Sequence, residues 1–274
     1  MWRIGIVGYG HLGQYLVDAI LENPSLELAF VWNRSKTVFE GKVKPDYILE
    51  DLSAFRDRKA DLIIEVAHPG ISFQYGAEFL TQTDYMVGSP TALASAELEG
   101  QLRSAAVKHG LYIPVGALWG ADDVQKMAQR GTLQALKITM KKHPSSFKLE
   151  GELKIKNDEV KSDAVVLFDG PVRELCPLAP NNVNTMAVGA MAASNLGFDK
   201  VQGSLVSDPS LTDYHIVEVD VWGPGDIEKG TAFHCHTVRT NPAKVGAVTG
   251  SATYASFLSS MLRARGKGPG VHFC

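Results

Sequence analysis

Apolar residues along this chain follow two rhythms, and the change between them falls near residue 116. Before it, short solid apolar runs at 3–7, 26–32, 60–67, 84–88 and 111–116 have the pattern of strands buried on both faces. Segments with a helical repeat separate them. Leu12, Leu16, Ala19 and Ile20 share one helical face, and residues 46–55 suit a short connection and helix. The break His68-Pro69-Gly70 precedes a helix over about 71–81, and residues 89–93 lead into another that runs to about 109. Strands alternating with helices in this way predict a doubly wound parallel sheet.

Beyond residue 116 the regular alternation stops. A helix over 122–129 is capped by aspartates, and longer strands follow at 133–140, 148–155, 164–168, 200–207, 215–221 and 231–239. One apolar helix, 182–196, lies among them. This pattern predicts a mostly antiparallel sheet with a helix or two on one face. A last helix over 244–263 precedes a Gly/Pro-rich tail, 266–274, and is expected to pack back on the first domain.

The chemistry begins where the first strand ends. Residues 8–13 form a complete G-x-G-x-x-G between a strand and a helix, the context that turns a weak pattern into a dinucleotide-binding signal. Gly8 permits the tight turn, Gly10 lets a pyrophosphate approach the backbone, and Gly13 lets the helix pack against the strand. His11 and Leu12 open the helix, whose free N–H groups and positive dipole end suit phosphate. The second strand ends in Asn33-Arg34-Ser35, with no carboxylate to repel a 2′-phosphate. Arg34 can pair with such a phosphate or stack on adenine, so NAD and NADP both remain open as cofactors. Ligands in open parallel sheets lie beyond the carboxyl ends of the strands, which makes residues 65–69, Ala67 and His68 among them, a candidate wall of the cofactor cleft.

The fold class expected is therefore α/β. A Rossmann-type doubly wound parallel sheet is joined to a second α+β domain with a mostly antiparallel sheet, and a C-terminal helix returns to the first domain. Residues 1–115 with 241–274 form the dinucleotide-binding domain, and 116–240 the substrate, catalytic and dimerisation domain.

Composition narrows the class further. The 274 residues are 45% hydrophobic and 21% charged, with a formal net charge of -3, which gives no sign of a nucleic-acid or membrane partner. No apolar run approaches the roughly 18 residues needed to span a bilayer, and no secretory signal opens the chain. Three cysteines without a C-x-x-C suit a reduced cytoplasmic protein.

Taken together, the glycine motif at 8–13, the turn Gly116-Ala117-Leu118-Trp119-Gly120, Pro180-Asn181-Asn182-Val183-Asn184, Asp208-Pro209 followed by Tyr214-His215, and Thr240-Asn241-Pro242 resemble the L-aspartate dehydrogenase family. The resemblance covers nearly the whole chain. It implies oxidative deamination of aspartate with NAD(P), giving iminoaspartate and then oxaloacetate and ammonia. It also implies that His215 is the acid/base residue and that Ala117 and Asn184 contact the nicotinamide half of the cofactor. The substrate is then a small dicarboxylic amino acid, and the protein by analogy a homodimer. Two positions depart from the family pattern: Arg34 stands where microbial members have a small or acidic residue, and Ser89-Pro90-Thr91 replaces a serine-valine-glycine type of turn.

Hydride transfer belongs to the cofactor, and the protein supplies position, charge and proton handling. Among eight histidines, His215 opens a strand directly after a polar loop, where a side chain can project into a cleft, and Asp213 stands near enough in sequence to orient the ring. Lys141-Lys142-His143 ends a strand and offers a cation, although such a run is more often solvated, and Lys142 is read that way. Asn182 suits a structural cap, and Thr240 and Asn241 suit either the lining of a hinge or a turn set by Asn-Pro. His234 and His236 share a strand face but show no third ligand in the sequence, so no metal is assigned. His68 reads as packing or as a backbone hydrogen bond near the nicotinamide. The rival reading is a non-catalytic NADP(H)-binding sensor or scaffold protein. A third keeps the fold and changes the substrate, as in dihydrodipicolinate reductase or homoserine dehydrogenase.

Overall fold

A computed structural model describes residues 1–250 and 252–274. By contacts the chain divides into two units, residues 1–114 with 258–272 and 274, and residues 115–257 with 273.

The first unit opens with β1 (Trp2–Val7), α1 (His11–Glu22) and β2 (Leu26–Trp32). The helix buries Gly13, Leu16, Val17 and Ile20, one face of a helical repeat. Two 3-10 turns, Pro45–Tyr47 and Leu52–Arg58, stand where the sequence suggested one short helix, and β3 (Leu62–Glu65) follows. The helix expected over 71–81 is broken into Pro69–Ile71, a π turn Ser72–Gly76, and Ala77–Phe79. Then come β4 (Asp84–Val87), α2 (Ala96–Ala105) and β5 (Gly110–Ile113). Ser95 caps α2 by accepting from the Leu98 N–H. Strands β1 to β5 are all parallel, in the order β5-β4-β3-β1-β2. Ile4, Ile6, Phe30, Ile63, Ile64 and Met86 fill both faces, and burying each such side chain is worth about 1.5–3 kcal/mol.

In the second unit, α3 (Ala121–Gln129) leads to β6 (Ala135–Lys142), α4 (Gly151–Asp158) and β7 (Val165–Pro171). α5 (Asn184–Ala192) follows, then β8 (Gln202–Ser207), β9 (Tyr214–Trp222) and β10 (His234–Pro242). The sheet order is β10-β9-β6-β8-β7, with only β6 and β8 parallel. Alternation sorts the faces: Leu136, Ile138, Met140, Val217, Val219 and Val221 are buried, while Lys137, Thr139, Lys141 and Glu218 lie on the other side. A Cβ on Gly189 would meet Ile138 Cδ1 at 2.2 Å, so the glycine lets α5 lie against the buried face without displacing that side chain.

Three expected elements differ. Residues 148–155 form no strand: Leu149, Leu153 and Asn157 are buried at a spacing of four while Ile155 is exposed, and Lys154 pairs with Asp158 at 2.5 Å across one turn. Apolar residues that alternate also fit every fourth position, and here the helix won. Residues 266–274 contain β11 (Gly270–Phe273), which adds a strand beside β5. The last helix, α6 (Ala252–Arg263), is shorter than the expected 244–263, where residues 244–250 are turns and Ser251 lies outside the described residues. β10 runs on to Pro242, opposite Tyr214, and the Ala243 N–H donates to Asp213 O at 2.8 Å, so residues 241–257 group with the second unit, not with the first as the sequence suggested. Among the described residues, no helix is long and apolar enough to cross a membrane.

Candidate functional site

The first unit gathers the glycine motif at the carboxyl ends of β1, β2 and β3. Gly8 sits at φ +114°, and a Cβ there would come within 2.8 Å of the backbone of Val66 and Ala67. A Cβ on Gly13 would lie 2.1 Å from Gly8 O, which is how closely α1 meets the turn. Over Gly10 there is open space, with nothing within 4 Å of the built position. No side chain caps α1, whose first residues are His11 and Leu12. Asn33 shapes this corner: its Oδ1 accepts from the Tyr9 N–H at 3.1 Å and its Nδ2 donates to Ser35 O at 3.0 Å. Arg34 beside it is exposed and engages no partner among the described residues. An open Gly10, an uncapped helix end and a free guanidinium fit a dinucleotide.

Glu65 ties the next part together. Its carboxyl is fully buried and takes four hydrogen bonds: from the backbone N–H groups of Ala67 (2.7 Å), His68 (2.8 Å) and Ser89 (2.9 Å), and from the Ser89 hydroxyl (3.1 Å). Burial pushes its pKa up to about 7, against the pull of these donors. His68 is exposed and accepts from the Gly70 N–H at 3.0 Å through Nδ1, a backbone bond as expected. The sequence placed Glu65 in the cleft wall but missed this role. Its signal was a carboxylate inside an otherwise apolar strand.

In the second unit the site is a row across four strands. Register pairs Asn241 with His215, and Lys142 with Ser207; the pairing of Lys141 with Ile216 sets Lys142 opposite His215. All four side chains therefore share the buried face, with exposures of 5% for Asn241 and His215, 4% for Lys142 and 0% for Ser207. Ser207 donates to Asn157 Oδ1 at 2.7 Å. Lys142 Nζ donates to Val248 O at 3.0 Å and lies 5.8 Å from the centre of the Phe147 ring. Burial lowers the pKa of Lys142 to about 8.

His215 hydrogen-bonds the Ala247 backbone, and its Nε2 has no partner. Burial first, and then the Lys142 charge, bring its pKa down to about 4, so the ring is a neutral imidazole at neutral pH. Asn184, in the first turn of α5, likewise leaves a buried Oδ1 unpartnered. Ala117 is half-buried in the turn after Gly116, whose carbonyl accepts from Ser256 Oγ at 2.9 Å and from Arg239 at 3.3 Å. No hydrogen bond joins Ala117, Asn184 and His215 among the described residues.

Two expectations change here, on Lys142 and Asp213. Lys142 is no solvated strand end; β6 extends two residues past 140, and its alternation carries Lys142 onto the buried face. Asp213 does not orient the His215 ring, since it is exposed and accepts from Thr212 Oγ1 at 2.8 Å. Asn182 is structural, bonded through its side chain to both the N–H (3.3 Å) and the carbonyl (2.8 Å) of Lys148. His234 and His236 both reach Asp220 Oδ1 at 2.9 Å, and no group of three or more His, Cys, Asp or Glu able to hold a metal occurs among the described residues.

Comparison with known proteins adds to this geometry. The family model described as aspartate dehydrogenase, C-terminal, matches residues 123–260, and that of the homoserine dehydrogenase NAD binding domain matches residues 8–115. The aspartate dehydrogenase domain-containing protein of Xenopus tropicalis is 58% identical, over 99% of this chain and 98% of its own length. L-aspartate dehydrogenase of Methanosarcina acetivorans is 31% identical, over 77% and 80%. The crystal structure of aspartate dehydrogenase from Thermotoga maritima superposes with a TM-score of 0.71 at 20% identity, covering 97% of this chain and 98% of that one, a likeness of fold.

Proposed function

The chain belongs to the aspartate dehydrogenase family, a family of NAD(P)-dependent oxidoreductases, and from that premise we propose that it oxidatively deaminates L-aspartate with NAD or NADP. The products are iminoaspartate and then oxaloacetate and ammonia. Bound NAD or NADP supplies the acceptor for the hydride from Cα. In the first unit Gly8, Gly10, His11, Leu12 and Gly13 hold its pyrophosphate, Asn33 and Arg34 its ribose end, and Ala67 and His68 line the cofactor cleft; in the second, Ala117 and Asn184 are the residues that the family resemblance assigns to the nicotinamide.

His215 handles the proton. A substrate amine must lose one before its Cα can give up hydride, and the free Nε2 of a neutral imidazole is an acceptor for it. After the imidazolium releases that proton to solvent, the neutral ring can accept another from the water that attacks the imine, and the nitrogen departs as ammonia. The observation that carries this reading is a buried histidine with one ring nitrogen unpartnered, at the position the family resemblance gives to the acid/base residue; most buried polar atoms are bonded.

Absorbance at 340 nm with aspartate and each cofactor tests it. The His215→Ala protein is expected to lose about 10²–10⁴-fold in kcat while binding NAD(P)H as tightly as before. Undiminished turnover in that variant would remove His215 from the mechanism. No turnover by the unaltered protein with any dicarboxylic amino acid would leave only a nucleotide binder. The same reading makes the protein a cytoplasmic homodimer: β10 is an edge strand with Phe233 and Val238 exposed beside or on it, a surface of the kind that subunit contacts cover.

A further inference from the structure

Lys142 enters none of the steps above, yet its position needs a reason. A buried ammonium is costly unless paired, and lysine is almost never fully buried without a partner for its charge. Lys142 forms no ion pair among the described residues, and its hydrogen bond goes to the neutral Val248 carbonyl. An ammonium carries three donors, so two remain for something else.

The charged and titratable groups around it do not fill that need. On β6 and β9, Lys141 and Glu218 pair with each other at 2.7 Å on the opposite face of the sheet. Past β8, Asp208 Oδ1 accepts from both the N–H and the hydroxyl of Ser210. Asp213, ahead of β9, and Lys244, in the loop after β10, are exposed. What does face Lys142 across the strands is His215, whose Nε2 is unpartnered, with Asn241 beyond it. A buried cation short of an anion and a buried ring nitrogen short of a hydrogen therefore stand side by side.

We propose that Lys142 is the seat of a carboxylate, holding a small dicarboxylic acid on the buried face of the second sheet beside His215. The identity of that acid as aspartate rests on the function proposed above; the seat itself does not. Occupancy has a chemical consequence for the neighbour. Lys142 is one of the two causes that hold the imidazole weakly basic, and a carboxylate pairing with it cancels that repulsion. The substrate then strengthens the base that is to deprotonate it, and only when its carboxylate is in place.

Succinate, a dicarboxylate with no amine to oxidise, is the probe. Calorimetric titration of the full chain, with and without NADPH, is expected to show succinate binding and none of its diamide. The Lys142→Met protein should bind succinate at least about tenfold more weakly, a loss of about 1.4 kcal/mol, and Lys142→Arg should recover part of it. In the unaltered protein, nuclear magnetic resonance should show the His215 ring titrating about one unit higher when succinate is bound. Unchanged affinity in Lys142→Met, no binding by the unaltered chain, or a His215 titration indifferent to succinate would each overturn the seat. Should Lys142→Met fail to fold, Lys142→Arg and the resonance measurement still decide. Aspartate turnover is read separately: Lys142-dependent succinate binding without turnover removes the proposed reaction and keeps the seat, while turnover with a KM untouched by Lys142→Arg and Lys142→Met does the reverse.

Discussion

The two units bury charge in opposite ways. Glu65 in the first is wholly enclosed and meets four donors, whereas Lys142 in the second is enclosed with a single carbonyl. The contrast extends to neutral groups. Of the buried side-chain atoms without a partner among the described residues, the first unit holds Thr83 Oγ1, and the second holds Ser146 Oγ, Asn184 Oδ1, His215 Nε2 and Thr237 Oγ1. Fully satisfied buried networks rigidify the structure around them. In the first unit the cradle is held by the satisfied bonds around Glu65, and in the second the unpartnered atoms are those the proposed ligand would meet.

The largest effect should come from breaking the cradle itself. In Gly13→Val a branched side chain replaces a hydrogen where even a Cβ would stand 2.1 Å from the Gly8 carbonyl oxygen. NAD(P)H affinity, followed by the quenching of protein fluorescence, should fall on the order of a thousandfold, about 4 kcal/mol. Retained affinity would mean that the turn is looser than the contrast requires.

Acidity sharpens the comparison, because the two buried groups shift in opposite directions. The folded His215 pKa of about 4 lies below its unfolded 6.5, so the unfolded chain binds the proton more readily and stability rises with pH across that window. The folded Glu65 pKa of about 7 lies above 4.5, so its contribution falls as pH climbs through that range. Each amounts to about 3 kcal/mol at most, and in the unaltered protein they oppose. Denaturant unfolding at several pH values separates them: Glu65→Gln should leave a rising trend and His215→Asn a falling one. Trends of the same sign in both variants would refute the opposition.

At a single pH near 8, Glu65→Gln should cost about 1–3 kcal/mol, because an amide NH₂ replaces an oxygen that accepts from Ser89. Unchanged melting would show that the four bonds hold nothing. The smallest effect is expected outside both buried sites. Arg34→Ser removes an exposed, unpartnered cation and should lower the preference for NADPH over NADH by about tenfold, about 1.4 kcal/mol, as read from paired titrations.

How much of this was legible in the sequence follows the same division. The turn at residues 8–13 was readable because Gly8 and Gly13 stand where a Cβ would meet backbone, and the resemblance singled out His215. Lys142 was legible in principle, since Leu136, Ile138 and Met140 already set the alternation that includes it. Ending the strand at residue 140 hid it, because a pair of lysines reads as solvent-facing. Residues 148–155 misled for another reason: apolar positions two apart over a short segment fit strand and helix alike, and packing through Leu149 and Leu153 decided. β11 was hidden by its glycines and proline, which mark turns but also flank short edge strands. Pairing across a sheet, as between Lys142 and His215, is a long-range property that no local pattern contains.

The Glu65 carboxyl has a practical bearing on anyone exchanging parts between relatives. Residues 67–68 and residue 89 belong to loops after different strands, yet both hang from this one side chain. A transplant of either loop alone would sever a joint whose other half stays behind. Residues 65–89 therefore behave as one interchangeable cassette, and chimaeras should be cut outside it.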